Sequence, residues 1–134
     1  MRALIAVLFC SGIVEGYVYW SCPKPYITRE DREKVRDYLV AKVKVESVEV
    51  QGDWRYDLIK YNLKYEEYYE CWYWYPPTTL RISARTTIEG KVYRCPVRLE
   101  VGKEYIVGYN GYFRFVKAAD NLTWQDQILL GHGI

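Results

Sequence analysis

The chain is expected to fold as an all-β domain with short helices, specifically a five-stranded OB-like Greek-key barrel, on three features of the sequence. Apolar and polar residues alternate at a period of two over most of residues 39–116, the pattern of strands with one buried face. Inside two long runs that alternation slips by one residue, as at a β-bulge, and bulges bend strands around barrels. The aromatic share is 17%, with fifteen Tyr and five Trp, and rings pack well on pleated faces.

The elements follow in order. Residues 1–16 read as a secretory signal: Arg2 gives the positive start, Ala3 to Phe9 the apolar run, and Val14-Glu15-Gly16 the small residues near a cleavage point. Residues 17–134 are then a single domain, secreted and extracellular, because no later stretch reaches the ~20 apolar residues of a membrane span. Cleavage after Gly16 leaves Cys22, Cys71 and Cys95, enough for one disulfide and one odd thiol in an oxidising compartment. Tyr17 to Pro25 is an aromatic, proline-rich lead-in. Thr28-x-x-Asp31 reads as a helix cap, and the dense charges from Arg29 to Arg36 predict a short, solvated helix.

Leu39, Ala41, Val43 and Val45 then alternate with Lys42, Lys44 and Glu46, and the phase slips after Ser47 to Val48 and Val50. Gln51-Gly52-Asp53 is the turn. Trp54, Tyr56 and Leu58 alternate next, before Ile59, Tyr61, Leu63 and Tyr65 take over. Glu66 to Tyr75 is acidic and then densely aromatic, ended by Pro76-Pro77. Leu80, Ile82 and Ala84 make the third strand and Glu89-Gly90 a turn. Tyr105 to Gly108 and Tyr112 to Val116 are the fourth and fifth, around the hairpin pair Asn110-Gly111. Thr123-x-x-Asp126 caps a last short helix through Leu130.

The stretch Cys95 to Gly108, CPVRLEVGKEYIVG, carries more than strand periodicity. Val97, Leu99 and Val101 alternate, Gly102-Lys103 breaks the run, and Tyr105 and Val107 resume it, as two strand segments joined by a tight turn or bulge. A cysteine, then L-x-x-G, then K-E-Y-x-x-x-G resembles tissue inhibitors of metalloproteinases and related netrin-like (NTR) modules. Asp37 to Lys42 resembles that family's first strand and Arg55-Tyr56-Asp57-Leu58 its second, while Asn121 to Gln127 stands where the family's short helix begins. The resemblance spans about residues 22–131, the inhibitory domain without the carboxy-terminal subdomain.

The resemblance implies a disulfide between Cys22 and Cys95. It also implies that the α-amine and carbonyl of Cys22, if Cys22 is the first residue after processing, chelate the zinc of a target protease. Cys22, Pro23, Lys24, Pro25 and Tyr26 would form the inhibitory ridge. The family's second cysteine falls at Lys24 and its partner near Phe115, so both halves of that disulfide are absent together. Chelation requires cleavage after Ser21, because a start near Tyr17 leaves five residues ahead of Cys22. Cys71 has three open fates: pairing with another chain, competing with Cys22 for Cys95, or remaining a buried thiol.

Two functions are therefore expected. The first is inhibition of an extracellular zinc metalloprotease. The alternative is a non-inhibitory module that binds a protein through Tyr68, Tyr69, Trp72, Tyr73, Trp74 and Tyr75, since Tyr and Trp are enriched at interface hot spots. Asn121-Leu122-Thr123 is an N-glycosylation sequon. His132 stands alone between two glycines, no spacing of His, Cys and carboxylates suits a catalytic metal, and nucleotide and nucleophile-elbow motifs are missing. No enzymatic activity and no cofactor are expected, and a net charge of +2 without a basic cluster gives no reason to expect nucleic acid as a partner.

Overall fold

The structure, a computed structural model, describes residues 22–52 and 56–131, without the side chains of Tyr56, Thr86, Thr87 and Ile88. The signal segment 1–16, residues 17–21, Asp53, Trp54, Arg55 and His132 lie outside the described residues.

Six strands form one antiparallel, strongly curled sheet: β1 (Leu39–Gly52), β2 (Tyr56–Cys71), β3 (Thr79–Ile88), β4 (Lys91–Arg94), β5 (Glu104–Tyr109) and β6 (Phe113–Ala118), in the order β4-β3-β2-β1-β5-β6. The five expected strands are present, and the short β4 is a sixth. Helix α1 (Arg29–Lys34) precedes the sheet, and a 3-10 turn (Ala119–Asn121) and helix α2 (Trp124–Leu129) follow it. Both helices start where the Thr-x-x-Asp pattern placed them: Thr28 and Thr123 accept hydrogen bonds from the Asp31 and Asp126 amides.

The phase slip at Ser47 is a bulge. Val45 lies opposite Leu63 and Ser47 opposite Asn62, leaving Glu46 as the extra residue. Near Leu58 the extra residue sits on the neighbouring strand, because Asp57 faces Arg85 and Leu58 faces Ser83, skipping Ala84. Two further bulges, at Glu66 and Tyr69 of β2, had no signature in the sequence. Each adds twist, and together they roll the long β1–β2 ribbon around a core of Leu39, Ala41, Val43, Val45, Leu63, Leu80 and Ile82. On the outer face, α1, α2 and the lead-in cover Val40, Ile106 and Phe115 with Ile27, Val35 and Leu130.

The barrel closes differently from the expected one. Among the described residues no ladder joins β4 to β6, the two ends of the sheet. Instead Lys24 lies alongside β6 at Phe115, where its amide donates to the Arg114 carbonyl at 3.0 Å and its carbonyl accepts from the Val116 amide at 2.9 Å. Two residues earlier, Cys22 is bonded to Cys95, which directly follows β4; their Cα atoms are 5.6 Å apart. A covalent bridge thus spans the gap that a ladder closes in a complete barrel.

The stretch 95–100 is not a strand, although Cys95, Val97 and Leu99 are buried and their neighbours exposed as the alternation requires. The Cys95 amide donates to the Ala84 carbonyl at 3.0 Å, and two further donors go to tyrosines: the Leu99 amide to the Tyr61 hydroxyl at 3.1 Å and the Glu100 amide to the Tyr105 hydroxyl at 2.9 Å. The Arg98 guanidinium covers the Cys95 and Val97 carbonyls, each at 2.9 Å. Beyond it Gly102, at φ 88°, makes the turn, and its amide donates to the Val45 carbonyl at 2.8 Å. Val101, expected inside with Val97 and Leu99, is 54% exposed at the start of this turn. The two phenols should be separable by mutation. Tyr61→Phe orphans a buried amide and should cost about 1–3 kcal/mol, and Tyr105→Phe less, because water reaches the Glu100 amide; urea unfolding of both variants checks the order.

Candidate functional site

Two surfaces hold the residues singled out in the sequence. The ridge comes first. Cys22, Lys24, Pro25 and Tyr26 are exposed, and the lead-in lies on the barrel with Pro23 and Ile27 turned inward. Lys24 and Phe115, at and near which the sequence resemblance puts two absent cysteines, are neighbours here, joined by the backbone bridge. The Lys24 ammonium also reaches Asp31 at 2.9 Å. Asp31 is almost fully buried, accepts from the Thr28 hydroxyl at 2.9 Å, and ties the ridge to α1. A solvated helix face was expected for these charges. Asp31 and the half-buried Arg32, which donates to the Leu129 carbonyl and pairs with Glu70, correct that expectation: on so short a helix, tertiary partners decide which charges are buried.

Electrostatics follow from these contacts. Burial pushes the Asp31 carboxyl up, but hydrogen bonds from Lys24 and Thr28 outweigh it and leave the group below its usual value. Lys24 is raised, chiefly by its hydrogen bond to Asp31. A carboxylate with a depressed folded-state pKa contributes stability above the unfolded value, near 3.8, that is lost as pH falls through the folded value. A raised lysine contributes stability that persists through neutral pH and is lost only as pH rises past its folded value, above 10.5. Asp31→Asn should therefore cost about 1–3 kcal/mol at pH 7 and flatten the acid limb of a stability–pH profile below about pH 4, measured by chemical denaturation.

The aromatic surface is the second. β2 runs through Tyr68 and Tyr69 to Cys71, so these residues stand on a strand, and the connection to β3 is the short segment 72–78. Its two ends are fixed. The Trp72 amide donates to the Tyr38 carbonyl at 2.8 Å, and the Leu63 amide to the Thr78 carbonyl at 2.8 Å. Tyr73 is not on the surface: it is 6% exposed and packs edge-on against Tyr109, with Tyr38 at 6.4 Å. At the far end the Tyr65 hydroxyl donates to the Pro77 carbonyl, and burial pushes the Tyr65 phenol up. Tyr65 in turn stacks on Tyr68, their ring centres 5.2 Å apart. Between these anchors Trp74 and Tyr75 project, 69% and 85% exposed, flanked by Tyr68 at 50% and Trp72 at 37%.

Glu70 organises this region and was missed in the sequence. Its carboxylate accepts from the Asp37 amide at 2.6 Å and the Trp72 indole at 3.2 Å, and pairs with Arg32 at 3.0 Å. Asp37 has φ 65°, so Glu70 holds a left-handed turn that no local pattern announces. Cys71 is exposed and its thiol donates to the Tyr73 carbonyl at 3.3 Å. Of its three fates this excludes the buried thiol, and competition for Cys95 is excluded because Cys95 is paired with Cys22. Asn121 is exposed at the end of the 3-10 turn. Among the described residues no group of three or more His, Cys, Asp or Glu is placed to hold a metal ion, and no helix is long and apolar enough to cross a membrane.

Comparison with known proteins gives the affiliation. No curated protein matches the chain. Among solved structures it is similar to excretory-secretory protein 2 of Ancylostoma ceylanicum, at 24% identity over 85% of this chain and 96% of that one, with a TM-score of 0.49. The family model for excretory-secretory protein 2, AceES-2, matches residues 20–131, the whole of the barrel with its helices. The chain belongs to the excretory-secretory protein 2 family.

Proposed function

We propose that this chain is a secreted, non-enzymatic module of netrin-like type that binds a partner protein through the aromatic β2–β3 connection. One observation carries the reading: Trp74 and Tyr75 are exposed on a segment whose flanks are locked into the barrel by Tyr73 and Pro77. Large apolar rings held out to water cost free energy in the free protein, and a rigid base lowers the entropy lost on contact. Secretion is in keeping with a family of excretory-secretory proteins, and the exposed Asn121 sequon then carries a glycan. The double variant Trp74→Ala/Tyr75→Ala should keep the parent stability within about 0.5 kcal/mol while losing tenfold or more in partner affinity. Unchanged affinity against a panel of immobilised extracellular proteins that the parent binds rejects the reading.

A second reading rests on the ridge. Cys22 is exposed and fixed by the disulfide, while Lys24 pins the ridge to β6 and α1, so a free amine at Cys22 is pre-positioned for a protease zinc. It requires processing after Ser21. The mass and amino-terminal sequence of the secreted protein, followed by inhibition assays against extracellular zinc proteases, decide it.

A further inference from the structure

The two edges of the curled sheet are treated differently. The β6 edge is paired with the chain's own Lys24, whereas β4 has no strand beside its outer edge among the described residues. β4 is also unusually bare: all four residues are exposed, Val92 at 52% and Tyr93 at 53%. It is held from one side only, with Lys91 opposite Ile88, Tyr93 opposite Thr86 and Arg94 opposite Arg85. An open edge of this kind offers unpaired backbone donors and acceptors to another extended chain.

Charge says which chain. Two of the four residues, Lys91 and Arg94, are cationic, while Arg85, opposite Arg94 across the ladder, is paired with Asp57 at 3.3 Å. A second copy added antiparallel in full register sets Lys91 against Arg94 twice, and like charges directly opposite are destabilising. The same positions attract carboxylates. The turn before β4, Glu89-Gly90, carries both residues at positive φ and is tight, and Pro96 follows the disulfide cysteine, so the accessible edge is confined to about one short strand.

We infer that the β4 edge is a strand-addition site for an extended acidic segment of a partner protein, with carboxylates against Lys91 and Arg94 and apolar side chains beside Val92 and Tyr93. This site is separate from the aromatic connection and does not depend on that reading.

The test uses the full secreted protein and three blocked peptides: one with a central Glu-Val-Val-Glu, which sets carboxylates opposite both Lys91 and Arg94, one with Lys-Val-Val-Lys in its place, and the Glu peptide N-methylated at alternate residues. Cys95 donates to the Ala84 carbonyl, so by alternation along the ladder the Val92 and Arg94 amides face outward, and their spectra and hydrogen exchange report the contact. The Glu peptide is expected to slow exchange at these amides and to bind at least tenfold more tightly than the Lys or N-methylated peptide. The variant Lys91→Glu/Arg94→Glu, which changes only exposed side chains, should reverse the preference between Glu and Lys peptides. Equal binding of all three peptides overturns the proposal. So does protection of the outward Val92 and Arg94 amides before any peptide is added, because the edge is then covered by the chain itself or, if sedimentation shows a dimer, by a second copy.

Discussion

Cys95→Ser is expected to lower stability by about 4 kcal/mol, while Cys71→Ser changes it by no more than about 0.5 kcal/mol. The Cys22–Cys95 bridge closes a loop with a sequence separation of 73, and in the chain-entropy account such a cross-link removes about that much freedom from the unfolded chain. Its loss also has a folded-state consequence, because the bridge spans the unlaced gap between β4 and β6. Cys71 has only a weak thiol hydrogen bond to the Tyr73 carbonyl and sits exposed, so serine replaces it at small cost. Denaturant unfolding of the two variants checks the contrast. Equal stabilities would remove the disulfide from its role as the barrel's closure.

Gly108→Ala has the second large effect, about 3 kcal/mol of destabilisation. Gly108 lies opposite Phe115 across the β5–β6 ladder, and a Cβ there would stand 2.3 Å from the ring. Phe115 is fully buried beneath α1, α2 and the ridge, so its ring has no room to retreat, and overpacking of this kind is costly. The clash predicts a coupling: Gly108→Ala/Phe115→Leu should be at least about 1 kcal/mol more stable than the sum of the single effects allows. Strict additivity would show that the ring is not what excludes the methyl group.

These two positions also show what the motif around Cys95 means. Its cysteine closes the sheet, its first glycine turns the chain at φ 88°, its tyrosine holds the Glu100 amide, and its last glycine admits the Phe115 ring. Every part has a structural task. The motif therefore marks a fold and says nothing by itself about protease inhibition. That distinction matters at Lys24, where a backbone bridge and an ion pair to the buried Asp31 hold the ridge.

Strand periodicity, the bulge beside Ser47 and the two Thr-x-x-Asp caps were legible because each is a local pattern acting on its own segment. What the sequence concealed was long-range. The stretch 95–100 has strand-like alternation, yet two of its amides donate to tyrosine hydroxyls, one of them on distant Tyr61, in place of a ladder. Tyr73 reads as one more exposed ring in a run of aromatics, and only the position of Tyr109 draws it inside. The buried state of Asp31 depends on Lys24, and the turn at Asp37 on Glu70, partners that no spacing rule links. The fold was therefore readable from periodicity, while the candidate surface needed the tertiary contacts that separate Tyr73 from Trp74 and Tyr75.

On the proposed function, partner contact runs through the Trp74–Tyr75 tip and not through the ridge. A photo-crosslinking residue placed at Tyr75 in one protein and at Pro25 in another, both exposed positions, tests it in a single experiment on an extracellular extract. A discrete covalent product is expected from position 75 and none from position 25. A product from position 25 alone, identified as a zinc metalloprotease, would contradict it and return the ridge to the centre of function.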